Sequence, residues 1–172
     1  MITDNGRNIV SSDLYLGADD RYHMDYADFE KKIIENNVKL FLLCNPHNPV
    51  GRVWTKEELE KVGDICLKHN VLVVSDEIHA DFVFKGQHQV FTAIKKEYED
   101  ITLSCTAPSK TFNLAGGQNS FMIIADEKLR ARWDDFAKRI RLMTGNAFGF
   151  VAAEAAYKGG QDWLDKVRAD CR

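Results

Sequence analysis

The chain has 172 residues, of which 45% are hydrophobic and 28% are charged, with a formal net charge of −3. It is therefore one domain's worth of sequence, long enough to bury a core. The near balance of 23 basic and 26 acidic side chains argues against a nucleic-acid surface and a disordered tail. No apolar run approaches a membrane span, and no signal peptide is visible. We expect no nucleic-acid and no membrane partner.

The first half of the chain alternates helical and strand patterns. Apolar spacing predicts a helix over 25–35, and an apolar run predicts a strand over 38–44. Thr55 and Glu58 form a capping box that opens the next helix, and 71–74 is a second apolar strand. Continuous apolar strands with little polar alternation are typical of a parallel sheet.

The second half continues the pattern. Residues 81–100 predict a turn at Gly86 and a short helix around 92–96, followed by strands over 101–105 and 121–125. These elements predict an α/β fold with a mostly parallel sheet and crossover helices.

Three helices are predicted to end the chain. The first covers 128–142, and its stripe of Trp133, Phe136 and Ile140 is interpreted as core. The second, over 147–157, is small and apolar, and we expect it to be well buried. A last helix follows Gly159 and Gly160.

The four cysteines carry no metal or redox motif. Cys44, Cys66, Cys105 and Cys171 form no Cys-x-x-Cys pair and no Cys/His ligand spacing. Cys44 and Cys105 close apolar runs, where a thiol behaves as a small core residue. We expect reduced thiols, no metal site and a cytoplasmic location.

Polar clusters follow three of the predicted strands. They are Asn-Pro-His-Asn-Pro-Val-Gly at 45–51, Ser-Asp-Glu-Ile-His at 75–79 and Ala-Pro-Ser-Lys at 107–110. In open α/β sheets, ligands bind outside the carboxyl ends of the strands. Taken alone, Lys110 is most simply a solvated lysine and Asp76 a turn cap; together, the clusters indicate a binding site.

The chemistry of these side chains suits pyridoxal 5'-phosphate (PLP). Lys110 supplies an amine for a Schiff base with the aldehyde, and Asp76 a carboxylate for the pyridine nitrogen. Asn48 and His79 can donate to the ring hydroxyl, whereas Ser109 and a helix start can hold the phosphate.

The same motifs resemble those of the class I/II aminotransferases, which are PLP-dependent enzymes of the aspartate-aminotransferase-like fold. The resemblance covers nearly the whole chain, from about Asn5 to Trp163. Residues 45–54, 75–81 and 107–116 look like the cystathionine β-lyase-like C–S lyase branch. At Gln118, eight residues after the lysine, the family often has an arginine that binds the phosphate.

The resemblance implies a role for each candidate residue. Lys110 would be the Schiff-base lysine and would shuttle the Cα proton, and Asp76 would pair with the pyridinium nitrogen. Asn48 would donate to the ring hydroxyl, His79 would lie beside the same oxygen, and Ser109 would contact the phosphate.

The resemblance also implies that residues 1–172 are part of a larger PLP-binding domain. Family enzymes are more than twice this length and are dimeric, so an upstream segment and a small C-terminal domain would be absent. The substrate-binding arginine normally lies in that last part. We expect the isolated chain to bind PLP weakly, if at all, and to be inactive.

Three functions remain open at this point. The first is β-elimination on a sulfur amino acid by the intact parent, giving pyruvate, ammonia and a thiol. The second is transamination of an amino acid on the same fold. The third is a truncated, non-catalytic domain. The residues present do not distinguish the lyase from the aminotransferase.

Overall fold

The structure is a computed structural model that describes residues 2–142 and 145–171. Its strands are β1 (Leu14–Leu16), β2 (Tyr22–Met24), β3 (Leu40–Cys44), β4 (Leu72–Asp76), β5 (Thr102–Thr106) and β6 (Phe121–Ile123). Its α-helices are α1 (Tyr26–Asn36), α2 (Lys56–Lys68), α3 (Pro108–Thr111), α4 (Glu127–Arg139), α5 (Ala147–Gly159) and α6 (Gln161–Asp170). None of these helices is both long and apolar enough to span a bilayer.

The central sheet has the strand order β3-β4-β5-β6. Strands β3, β4 and β5 are parallel, whereas β6 pairs antiparallel with β5. Cys44 lies opposite Asp76, which lies opposite Cys105, so three strands end in line. The predicted α/β fold with a mostly parallel sheet is confirmed.

Helix α2 begins as its sequence predicts. The Thr55 hydroxyl accepts from the Glu58 N–H, and a Glu58 carboxylate oxygen accepts from the Thr55 N–H. Its apolar face then joins α1 and one face of the sheet in the core. The core side chains include Phe29, Ile33, Leu43, Trp54, Leu59, Val62, Cys66, Val73, Phe91 and Tyr98.

One local element was missed, and one local prediction was wrong. The hairpin of β1 and β2, with Leu14 opposite Met24, was not expected, because three-residue strands are too short to show a period. In the segment before β5, 3₁₀-helices at Phe91–Ala93 and Lys96–Ile101 replace the single short helix around 92–96. Gly86 does lie in a turn, with a φ of +84°.

Burial of the C-terminal helices was predicted wrongly. Phe136 and Ile140 of the α4 stripe are 52% and 53% exposed, so the stripe is not core. Helix α5 is not well buried either, since Phe148 is 85% exposed and only Gly149 and Ala153 are buried. Apolar composition shows that a helix has a face to bury, but which part of the chain covers that face is a tertiary property.

The four cysteines are free thiols in this structure. Cys44 and Cys105 are only half-buried, because they stand at the open ends of their strands. Cys66 of α2 is the fully buried thiol, and burial raises its pKa to about 12.

Tyr98 packs directly against Gly63 of α2. The Tyr98 side chain is fully buried, its ring stacks on Phe91 at 5.1 Å, and its hydroxyl donates to the Glu60 carbonyl at 2.9 Å. A Cβ at residue 63 would lie 2.4 Å from Tyr98 Cζ. Gly63→Ala is therefore expected to lower the free energy of unfolding by about 1–3 kcal/mol, because the ring must move. Chemical denaturation measures this change.

Gly159→Ala provides the matched control. Gly159 is the last residue of α5, and a Cβ there would have no heavy atom within 4 Å. Alanine at this position should leave the free energy of unfolding unchanged or raise it by up to about 1 kcal/mol. Equal losses in the two variants would contradict the proposed clash at Tyr98.

Candidate active site

The aligned ends of β3, β4 and β5 form the edge at which the predicted site lies. The Asn45 N–H donates to the Asp76 carbonyl, and the Glu77 N–H donates to the Cys105 carbonyl, both at 2.9 Å. The hydrogen-bonded ladder therefore extends one residue beyond the ends of β3 and β4. Asp76 is exposed at the end of β4, where its Oδ1 accepts from the Ile78 N–H at 3.2 Å.

Two backbone hydrogen bonds close the turn that carries Asn48. The His47 N–H donates to the Arg52 carbonyl at 2.7 Å, and the Gly51 N–H donates to the His47 carbonyl at 2.9 Å. Gly51 has a φ of +68°, a conformation that glycine adopts without strain. Asn48 is exposed within this turn, and the peptide bonds before Pro46 and Pro49 are cis.

Arg52 anchors the same turn to α2. Its guanidinium lies 4.7 Å above the Trp54 ring, donates to Glu58 at 2.5 Å and donates to the Tyr22 carbonyl at 2.5 Å. The pair with Glu58 is largely buried, and the Trp54 indole N–H donates to the Cys44 carbonyl at 3.0 Å. The turn is therefore rigid where it leaves β3.

The lysine lies in the short helix after β5. Pro108 occupies the first position of α3, where its missing N–H costs no hydrogen bond. Ser109 is half-buried and Lys110 is exposed. The Lys110 ammonium makes no hydrogen bond or ion pair with any residue in the described ranges, so it is available to a ligand.

Helices α5 and α6 pack against the residues that follow Lys110. A Cβ at Gly149 would lie 2.2 Å from the Gly117 carbonyl oxygen, so α5 passes the turn after Lys110 at backbone contact distance. The Phe112 ring packs edge-on against Tyr157 at 5.5 Å and lies 6.3 Å from Trp163. Sequence analysis assigned no role to this support.

The structure brings all five predicted site residues to one edge. Asp76 ends β4, and His79, half-buried, lies three residues further along the chain. Asn48 lies in the loop after β3, and Ser109 and Lys110 lie in α3, just after β5. Their roles stay predictions. Gln118, where the family often has an arginine, is exposed in a left-handed conformation with a φ of 49°.

Sequence reasoning missed two acidic residues beside this edge. Asp81 accepts a 2.6 Å hydrogen bond from the hydroxyl of Thr111, the residue after the lysine. Glu77 is buried, although it follows the exposed Asp76 directly. Burial raises the pKa of the Cys105 thiol, and the charges of Asp76 and Glu77 add to that shift. No periodicity in the sequence distinguishes a buried acid from an exposed one in a loop.

The donor set fits PLP. The edge offers an exposed carboxylate without a cationic partner in the described ranges, an unpaired amine, a hydroxyl at a helix start and an amide. The Lys110 amine could form a Schiff base with the PLP aldehyde, and the Asp76 carboxylate could pair with the ring nitrogen at the opposite end of the ring. Lys110 and Ser109 would hold the aldehyde and phosphate, and Asp76 the ring nitrogen.

The edge is open rather than enclosed. A cavity of 140 Å³ lies under the β1–β2 hairpin, and one of 420 Å³ lies between the turn at 50–53 and residues 82–85. None of the five predicted site residues lines either cavity.

The structure is thus an α/β fold in which Asp76 and Lys110 follow neighbouring parallel strands. The model of the family "Aminotransferase class I and II" matches residues 2–170, and the chain belongs to that family. The protein is 46% identical over 168 residues to cystathionine beta-lyase PatB of Bacillus subtilis (strain 168). That alignment covers 97% of this chain and 43% of the relative.

Two solved structures carry the same fold. Cystalysin from Treponema denticola, which contains PLP, is 40% identical with a TM-score of 0.89, over 98% of this chain and 43% of that one. The PLP-bound C–S lyase from Staphylococcus hominis is 35% identical with a TM-score of 0.87, over 97% and 41%. The chain thus spans less than half the length of these relatives.

Proposed function

We propose that this chain forms the lysine-bearing part of the large domain of a PLP-dependent C–S lyase. The observation that carries the proposal is the placement of Asp76 and Lys110 at the carboxyl ends of adjacent parallel strands. The relatedness to PatB supports the lyase branch. On this proposal the 172 residues are a portion of a longer protein, which is a cytoplasmic homodimer acting on an amino-acid substrate.

Each site residue has a separate role that follows from its charge and position. The Asp76 carboxylate holds a proton on the ring nitrogen by pairing with it, and Asn48 and His79 orient the ring through its hydroxyl. The Ser109 hydroxyl donates to the phosphate. When bound, PLP supplies an electron sink for a substrate carbanion. The Lys110 amine would take the substrate Cα proton.

The proposed substrate is a thioether amino acid such as cystathionine. Removal of the Cα proton is followed by cleavage of the Cβ–S bond, and the sulfur leaves with its electron pair as a thiolate. Water then releases the remaining three-carbon unit, so the products are one thiol, one pyruvate and one ammonia. Transamination shares the first proton transfer, but requires a keto acid to return the amino group.

A product assay on the complete protein tests this function. With cystathionine and PLP, pyruvate and free thiol should form in equal amounts without an added keto acid. If product formation depends on a keto acid, the aminotransferase is the correct assignment. Lack of any product with either substrate set, in a protein that carries PLP, would support the non-catalytic alternative and overturn the proposal. The 172-residue chain alone is expected to be inactive, because its edge is open.

A further inference from the structure

The buried carboxylate of Glu77 is the most highly coordinated acid near the candidate site. Its Oε1 accepts from the Ser75 hydroxyl at 2.8 Å and from the Phe91 N–H at 3.2 Å. Its Oε2 lies 2.9 Å from Nε2 of His88. Glu77 is 5% exposed, and the pair with His88 is almost entirely out of water.

These contacts join the two ends of one loop. Ser75 belongs to β4. His88 lies near the far end of residues 78–90, which we call the β4–β5 loop, and Phe91 follows that loop directly. A buried carboxylate is stable only when its oxygens are satisfied, so the loop must return to this point. The side chain of Glu77 therefore closes the β4–β5 loop where it leaves the sheet.

A second contact fastens the same end of the loop to β3. The Asn45 amide, fully buried, donates to the Gln89 carbonyl at 3.0 Å. Asn45 is also the first residue of the turn that carries Asn48. The far end of the β4–β5 loop is thus hydrogen-bonded to the turn that carries Asn48.

The start of the loop carries one predicted site residue, His79, and one residue that contacts the lysine segment, Asp81. His79 and Asp81 both lie within its first four residues, and Asp81 accepts the 2.6 Å hydrogen bond from Thr111. Thr111 is buried and follows Lys110 directly, so the position of the lysine segment depends on where the loop presents Asp81.

We propose that Glu77 is a positioning residue whose buried carboxylate closes the β4–β5 loop and so places His79 and Asp81 at the site. The inference rests on the proposed function for its catalytic meaning, but not for its structural content. Glu77 itself touches no reacting atom. It acts through the loop, and its removal should loosen that loop without unfolding the sheet.

Hydrogen exchange followed by mass spectrometry, with Glu77→Gln, tests the closure without cofactor. Glutamine keeps the size of the side chain, but it presents an amide NH₂ to at least one of the three donors. Amides of the β4–β5 loop and of Phe91 should exchange at least about tenfold faster, while those of α2 keep their wild-type rates. Unchanged exchange in the loop, or equal acceleration in α2, would overturn the proposal.

Two further variants make the test specific. Glu99→Gln removes a half-buried carboxylate that pairs with Lys96 at 2.5 Å and closes no loop, so exchange in the β4–β5 loop should not change. Ser75→Ala removes only the strand-side donor and should give a smaller acceleration at the same amides. It also replaces Glu77→Gln if that variant does not fold.

A PLP titration then separates this inference from the proposed function. The PLP concentration for half-saturation should rise at least about fivefold in Glu77→Gln relative to Glu99→Gln, because the lysine segment loses its support. Equal half-saturation in these two variants would overturn the positioning role, even with faster loop exchange. The titration uses the complete protein, because the 172-residue chain alone is expected to bind PLP weakly. Failure of the complete wild-type protein to bind PLP would instead contradict the proposed function, and the exchange result would still decide the closure.

Discussion

Lys110→Arg is expected to abolish the pyridoxyl adduct that borohydride traps after the chain is incubated with excess PLP. The Lys110 amine is exposed and unpaired in the described ranges, so it can attack the aldehyde. Arginine keeps the positive charge but stays protonated and delocalised, and it forms no comparable Schiff base. Reduction followed by peptide mass mapping measures the adduct, which should fall from a single labelled peptide to none.

Lys128→Arg is the matched control for this loss. Lys128 is also exposed and lies in α4, which contributes none of the five site residues. It should leave the adduct on Lys110 unchanged. Adduct that persists undiminished in Lys110→Arg would show that this lysine is not the cofactor attachment site. Labelling spread over surface lysines in the wild-type chain would show that this chain alone does not form the cofactor site.

Asp76→Asn is expected to weaken PLP binding about 10- to 100-fold. Hydrogen bonds to charged groups contribute about 1.5–3 kcal/mol, and asparagine removes the negative charge that keeps the ring nitrogen protonated. The backbone should not change, because the Asp76 carbonyl and the ladder to β5 do not involve the side chain. Titration of the PLP absorbance band measures both the affinity and the protonation of the ring.

Asp100→Asn separates this effect from a general change of charge. Asp100 is exposed and precedes β5 at the opposite end of the strand from Lys110, so its neutralisation should leave PLP affinity within experimental error. Equal affinities of Asp76→Asn and Asp100→Asn would show that the ring nitrogen does not pair with Asp76.

In this chain we expect changes in PLP binding to be easier to measure than changes in turnover, because the edge at the strand ends is open. Asp76, Asn48 and Lys110 are all exposed, and neither described cavity includes them. Water therefore reaches the groups that would hold the cofactor, and charge pairs are weaker in water than in a closed pocket. Half-saturation and adduct formation report on these residues directly.

The amino-acid sequence by itself determined the sheet and singled out the candidate site residues. Apolar strand runs, the capping box at Thr55 and the polar clusters after three of the strands are local patterns, and each acts over fewer than ten residues. Because parallel strands end at one edge, knowing that Asp76 and Lys110 follow strands was enough to place them together. The PLP chemistry was then inferred from the family resemblance.

Tertiary structure alone decided which side chains are covered. Glu77 and Asp76 are adjacent acids, yet one is buried by donors from 11 and 14 residues away and the other is exposed. Phe136 and Phe148 have the spacing and composition of core residues, yet they face outward. Burial depends on what packs against a surface, and those partners are distant in sequence, so no local pattern reports them.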